Sequence, residues 1–570
     1  MTALLNSKTI SRTNPVLLLF LSLIMSQPSL QAETVPGLGT ATFPTSTHSA
    51  AAQRDFLRGL LLLHLFEYDD AAKSFVAAEQ IDPGFAMAYW GEAMTFNLPV
   101  WNQLDEKAGQ AALAKFGATP EERAHRITDP RERAYMSAVE ILYSGVGSKR
   151  ERDDRYGTAM AQMIEAYPKD DEARLFFALS RLGRSEGVRD VPSYLQAATI
   201  SRMVFLRNPN HPGAAHYWIH GMDDPQHAAG ALVAARALSK IAPDAAHAQH
   251  MCSHIFLALG MWDDVVQANI AATTVGNRHA VLAGKTTRHC GHYNYWLEYG
   301  YLEQGRIDEA KRVVDACRDE AMSPGMLARA RGAVDPDDSS VSSFVEMRSR
   351  FLVDTGRWQD EVAGWTVDLG DAMMPEFNQA FTTGFAAAQL GDVPAARQSP
   401  TKLDELLPQL PALFDHAGLP TGDPTRRSPQ IQELELQAAI LSAEGHGDQA
   451  VAMMQQAVSS GEELPYAFGP PSPEKPADEF LGELLLKEKR APEARAAFEA
   501  SLKRAPRRAE SLLGLASAES AMGDKAAAAN VYHELLQIWK NADPDDAPAE
   551  EVRRNVAALS SVAPRPQGLN

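Results

Sequence analysis

The sequence predicts an all-α fold, an α-solenoid in which helix pairs stack into a right-handed superhelix. Three observations lead there. Alanine is abundant and β-branched runs are few, which favours helix. Small and aromatic residues recur with a period of about 34 residues, the length of one helix–turn–helix unit. Turn signals separate the apolar stretches at Gly260-Met261-Trp262, Gly305-Arg306-Ile307, Gly356-Arg357-Trp358, Gly391-Asp392, Gly447-Asp448 and Gly523-Asp524. At 570 residues the chain is too long for one ordinary core, so a repeat array or several domains is required.

The first segment, residues 1–32, reads as a secretory signal. Lys8 and Arg12 form a basic region, Pro15 to Met25 an apolar stretch, and Ser29-Leu30-Gln31-Ala32 a cleavage site. The apolar stretch is too short to span a bilayer. The mature chain is expected to start near Glu33 and to be exported, most simply to a periplasm. Residues 33–51 are a Pro/Thr/Ser-rich lead-in.

Repeat units follow. From Ala52 the period gives Gly59, Ala71, Phe75, Ala78 and Pro83. From Pro212 it gives Ala231, Ala235 and Pro243, and from Lys475 Gly482, Ala494, Phe498 and Pro506. The next unit gives Ala528 and Tyr532. These are tetratricopeptide (TPR) signatures. One helix pair cannot bury its apolar face alone, so stacked pairs share a continuous core, and the first helix of each pair lines a concave groove. The expected division is an N-terminal array at 52–322, a loop at 323–341, a C-terminal array at 342–540 and a flexible tail at 541–570. Residues 99–130 read as a charged connection, and 399–430 and 464–476 as proline-rich loops, because proline inside a helix removes a donor and clashes.

Seven of the 16 histidines fall in three helix-like segments: His216 and His220; His247, His250 and His254; His289 and His292. In the repeat frame His216 and His250 take position 5, His220 and His254 position 9, and His292 position 2. All are groove positions. A pair four apart lies about 40° apart around a helix, and neighbouring helices pack about 8–10 Å apart, so imidazoles of adjacent repeats can converge. Neutral imidazole suits a transition metal such as zinc, copper or iron. His216, His220, His250, His254 and His292 are therefore the candidate metal ligands. His64, Glu92, His247, Tyr295, Tyr299 and Glu479 are secondary candidates on or near the groove, with Glu92 or Glu479 as the base of a catalytic centre. Glu435 and Glu483 face the same way, and such C-terminal carboxylates reach the histidines only if the solenoid folds back.

The chain has three cysteines, Cys252, Cys290 and Cys317, too few for a disulfide scaffold. Cys252 and Cys290 sit among the histidines and could bridge neighbouring helices, ligate a metal or pack in the core; the register of Cys252 favours the core. The net charge of −19 argues against nucleic acid and anionic membrane as partners and accommodates a metal cation. No phosphate loop, dinucleotide fingerprint or His-Glu-x-x-His motif is present.

Beyond the generic repeat, Gly59 to His64, Ala86-Met87-Ala88-Tyr89-Trp90-Gly91-Glu92-Ala93-Met94 with Trp101, His211 to His220, His250-Met251-Cys252-Ser253-His254 and Gly469 to Pro476 resemble a family of large bacterial exported TPR proteins. The resemblance covers nearly all of the mature length and implies a TPR solenoid with a His-rich centre. His292 matches a recurrent histidine of that family. Its members usually carry proline at the position of Cys252, so no ligand role follows for that thiol. No reaction follows from the resemblance. The expected function is an exported binding protein whose groove holds a metal ion, a small ligand, a peptide or a partner protein. The alternatives are a metal-dependent hydrolase or oxidase, and an envelope scaffold with no small ligand.

Overall fold

Helix pairs stack through the described residues of the computed structural model, which are 33–561 except 185–188, 335–336, 338 and 467. The signal segment of residues 1–32 lies outside the described residues. Ala50–His64 packs on Tyr68–Ile81, Ala246–Ala258 on Trp262–Leu282, Ser428–Ala443 on Gly447–Glu462, Ala477–Lys487 on Ala491–Arg504, and Ala509–Met522 on Lys525–Ile538. First helices also touch one another: Pro212–His220 meets Ala246–Ala258 and, across the superhelix, Ala50–His64.

The repeat residues act through close approach. Phe75 is wedged between Gly59 of its own unit and Gly91 of the next, where an added Cβ would lie 2.9 and 2.3 Å from its ring. Phe498 is held in the same way between Gly482 and Gly514, at 2.7 and 2.3 Å. Large-to-small complementarity of this kind brings helix axes close and fills the core.

Several stretches without a repeat pattern are nonetheless ordered. Residues 33–41 form an antiparallel hairpin, Glu33–Val35 with Gly39–Ala41, which docks on the fold through Thr40 N–H to Asn210 O (2.9 Å) and Asp244 N–H to Gly37 O (3.1 Å). The charged connection contains the helices Glu106–Phe116 and Pro120–Arg126, capped by Asp105 and Thr119. In the 399–430 region Pro400 and Pro411 sit in the first turns of Ser399–Leu406 and Leu410–His416, where proline costs no hydrogen bond. The tail expected to fray forms the helix Ala547–Ser561. Near Gly447 the left-handed turn residue is Gly445, and Gly447 starts the next helix.

The solenoid closes on itself. Arg508, buried at the start of Ala509–Met522, pairs with Glu479 (2.8 Å), Glu303 (3.1 Å) and Asp354 (2.6 Å), from three separate helices. Trp262 donates its indole N–H to Arg507 O at 3.0 Å, and Trp539 donates to Glu303 O at 3.0 Å. The turn glycines Gly260 (φ +63°) and Gly305 (φ +66°) abut the C-terminal units, where a Cβ would lie 2.6 Å from Pro506 O and 2.8 Å from Ala542 Cβ. One apolar core accordingly joins the N-terminal repeats to Leu512, Tyr532 and Trp539. No helix among the described residues is long and apolar enough to cross a membrane.

Candidate metal centre

Three first helices present imidazoles to a common interior. Pro212–His220 starts with His211 as N-cap and Pro212 in its first turn, and carries His216 and His220 on one face. Ala246–Ala258 carries His247, His250 and His254. His292 opens His292–Glu303 just after Gly291 (φ +89°), which the preceding Cys290–Cys317 disulfide ties to Ile307–Ala321. The disulfide thus joins Cys290 to Cys317, not to Cys252. Cys252 is a buried free thiol that donates to Ala248 O, and burial pushes it up to about 12.

The imidazoles fall into two triads. His216, His220 and His247 form one, and His250, His254 and His292 the other; within each, one ligand atom per residue lies within 4.8 Å of the rest. Each triad takes positions 5 and 9 of one repeat and position 2 of the next. His247, which the sequence ranks second, is thereby the counterpart of His292, and its position 2 in the repeat is the signal that marks it.

Outer contacts fix how the nitrogens point. His216 Nδ1 donates to His64 O at 2.7 Å, and His250 Nδ1 faces Asn269 Oδ1 at 2.7 Å. His254 Nδ1 faces Asp223 Oδ2 at 3.1 Å, and His292 Nδ1 faces Asp337 Oδ2 at 2.7 Å. A proton on Nδ1 leaves Nε2 as a lone pair, the arrangement that orients a metal-ligating histidine. The Nε2 atoms of His216, His220 and His247 are buried with no hydrogen-bond partner. His250 Nε2 and His254 Nε2 approach to 3.1 Å. Two nitrogens each about 2.0–2.1 Å from one tetrahedral or square-planar ion are separated by about that distance. Burial drives His216 down to about 3 and lowers His220, His247, His250 and His254, the last partly offset by Asp223. Neutral imidazoles bind cations without first losing a proton.

Aromatic side chains pack against both triads, while His292 stays 37% exposed. Trp296 stacks on His254 at 4.6 Å and lies 4.7 Å from His250. Phe66 contacts His216 (4.4 Å), His220 (5.6 Å) and His247 (5.5 Å). Its φ of +59° is the left-handed region that a bulky residue occupies only under constraint from its surroundings. No sequence pattern marks that backbone, so Phe66 is legible only in the fold. Phe468, from the proline-rich 464–476 segment, reaches His254 at 5.3 Å, and Gly469 lies against Trp296.

The secondary candidates other than His247 lie elsewhere. His64 belongs to a separate cluster with Glu172 and His211: His64 Nε2 to Glu172 at 2.7 Å and His211 Nε2 to Glu172 at 2.8 Å, with Tyr217 OH and Ala214 N–H on the two Nδ1 atoms. Every ring nitrogen there is partnered, so the cluster clamps three helices and, through the His64 carbonyl, holds His216. Burial works to raise Glu172, but His211 and His64 outweigh it and hold the carboxylate well below its usual range. Glu92 pairs with Lys115 at 2.7 Å, away from the triads. Glu479 is tied to Arg508, Lys475 and Ser511; there too the cations outweigh burial and keep it ionised, which suits a structural ion and not a base. Tyr295 OH accepts from Arg350 at 2.9 Å, and Tyr299 packs edge-on against Trp262. The solenoid does fold back, yet the carboxylates of Glu479 and Glu483 go to Lys475 and Arg508. A Gly-x-Ser-x-Gly spelling at 183–187 starts on the last residue of the helix Asp171–Gly183, and 185–187 lie outside the described residues.

Comparison with protein-family models and with curated proteins returns no match. Among solved structures the chain is similar to a chain of the APC/C hetero-tetramer Cut9-Hcn1, at 13% identity and a TM-score of 0.33 over 89% of this chain and 76% of that one. It is also similar to yeast Tom70, at 12% identity and a TM-score of 0.27 over 90% of this chain and 95% of that one. A third is the P58(IPK) TPR domain, at 12% identity and a TM-score of 0.21 over 83% of this chain and 99% of that one.

Proposed function

We propose that this chain is an exported helical-repeat protein that binds a transition-metal ion on its central histidines. The observation that carries the reading is the set of buried, unpartnered Nε2 atoms of His216, His220 and His247 beside the facing Nε2 atoms of His250 and His254. Each buried, unsatisfied nitrogen costs about 1–3 kcal/mol, and a bound cation offsets that cost. The outer-shell acceptors on Nδ1 support the same reading, since they present Nε2 to an ion. A peptide strand fits less well, because Phe468 and Gly469 of the chain itself lie against the centre. The Cys290–Cys317 disulfide suits the oxidising compartment to which the leader-like N-terminus would send the chain.

Elemental analysis of untagged protein tests this. At least one zinc, copper or iron per chain is expected, with loss in His216→Ala or His254→Ala. A metal-free protein whose melting temperature does not move on adding zinc or copper would overturn the reading.

A further inference from the structure

We infer that the centre is dinuclear: two metal ions, copper by preference, one on each histidine triad, sharing dioxygen as a bridging ligand. This rests on the metal-binding reading above and deepens it.

Repeat geometry carries the first part. The two triads are copies of one arrangement, positions 5 and 9 of one repeat with position 2 of the next, so whatever one triad holds the other can hold. His216, His220 and His247 gather their ligand atoms within 4.8 Å of one another, and so do His250, His254 and His292. The triads are neighbours: His220 lies 5.9 Å from His254 and His247 6.3 Å from His250, ring centre to ring centre, across the boundary between them. Three ligands per ion leave a position open on each, as at other three-histidine catalytic sites.

The donor set carries the second part. All six ligands are imidazoles, a set that suits zinc, copper, iron and nickel and disfavours magnesium, calcium and manganese. Of the nearby carboxylates, Asp223 and Asp337 face Nδ1 atoms of the imidazoles, Asp223 is further engaged by Arg189, and Glu67 accepts from the His247 backbone N–H at 3.0 Å. Each is thus committed to holding a histidine in place. Phe66 and Trp296 line the centre with apolar surface, which suits a small uncharged ligand. With copper(I) on both triads, dioxygen entering between them takes one electron from each ion. The product is peroxide bridging two copper(II) ions; no proton is moved and no outside reductant is consumed in this binding step.

The test loads untagged, full-length protein with copper(I) under argon, removes unbound metal and counts copper per chain. Two are expected, falling to one in His292→Ala and to one in His247→Ala. Zero copper together with no zinc or iron in the untagged protein overturns the metal-binding reading itself, zero copper alone overturns the copper assignment, and one copper in the unmodified chain overturns only the dinuclear inference. Admitting air should consume one dioxygen per chain and give a charge-transfer absorption that argon reverses. The copper(II)-loaded pair should show a magnetically coupled signal, in contrast to the isolated copper(II) spectrum of His292→Ala. Two uncoupled coppers, or no dioxygen uptake, overturn the inference. If either variant fails to fold, the copper count, uptake and coupling of the unmodified chain still decide it.

Discussion

A buried imidazole nitrogen with nothing to bond to is unusual in a folded protein. His247 carries one: its Nε2 is enclosed and unpartnered, and Phe66 and Trp101 lie against its ring. Such a group stabilises only a metal-bound protein, so its removal should have opposite effects in the two states. His247→Leu is expected to melt no lower than the parent in chelator, and to lose the stabilisation that metal gives the parent. For a ligand at about 100 times its Kd that stabilisation is about 2.7 kcal/mol. Thermal melts of both proteins with and without metal measure this, and a variant that melts well below the parent in chelator contradicts it. Outer-shell residues act through the ligands they orient. Asn269→Ala leaves His250 Nδ1 without its acceptor and should weaken metal binding about 10–100-fold, read by competition with a chelating dye, while the circular dichroism spectrum is unchanged. The sequence reached His216, His220, His250, His254 and His292 because groove positions repeat every 34 residues or so. The same frame contained His247, and only the pairing of position 2 with the preceding repeat reveals it. Phe66 was out of reach, since its placement comes from a backbone angle that its residue type disfavours.

At the scale of the element, the helix pairs owe their spacing to glycine facing phenylalanine. Gly91 lies on the ring of Phe75 so closely that a Cβ would sit at 2.3 Å, and Phe75 is fully enclosed. Gly91→Leu should therefore force the Ala86–Met94 helix away from Tyr68–Ile81, at an overpacking cost of about 1–3 kcal/mol. Urea unfolding would register a lower midpoint, and an unchanged midpoint would show that the helices part without cost. This layer was legible in the sequence, because Gly59, Phe75, Gly482 and Phe498 are repeat residues with one mechanical role. The proline-bearing first turns of Ser399–Leu406 and Leu410–His416 were misread as loops, because proline at a helix start and proline within a loop look alike until a register is known. The helix Ala547–Ser561 was hidden for a different reason: its surroundings are rich in proline and charge, and tertiary contact with Lys525–Ile538 supplies what its composition does not.

For the molecule as a whole, closure is a long-range property of accumulated superhelical pitch, which no local pattern encodes. Arg508 is its clearest expression, a buried guanidinium shared among Glu303, Asp354 and Glu479. Arg508→Met would remove the guanidinium that three buried carboxylates share and is expected to cost about 3–5 kcal/mol, with faster hydrogen exchange in the helices His292–Glu303 and Ser340–Thr355 that the arginine ties together. Protection there equal to the parent would show that the apolar contacts alone close the solenoid. The enclosed interior also holds carboxyls with no hydrogen-bond partner, and these set the pH response. Both oxygens of Glu435 are buried and unpartnered, and burial pushes its carboxyl well above the ordinary 4.5. The folded state thus keeps a proton that the unfolded chain releases above about pH 4.5. Stability from this group is full below that value and falls by about 1.4 kcal/mol per pH unit as pH rises toward the folded value. Glu479 has the opposite sign: Arg508 and Lys475 overcome burial and hold it low, so its contribution is full above about pH 4.5 and is lost as the solution is acidified. Glu435→Gln removes the first effect and leaves the second. Melting temperatures of the two proteins should nearly coincide near pH 4.5 and diverge on the alkaline side, with the variant melting higher at about pH 8. If the two curves stay parallel over that range, Glu435 is ionised in the folded protein, and a cation must share its enclosure.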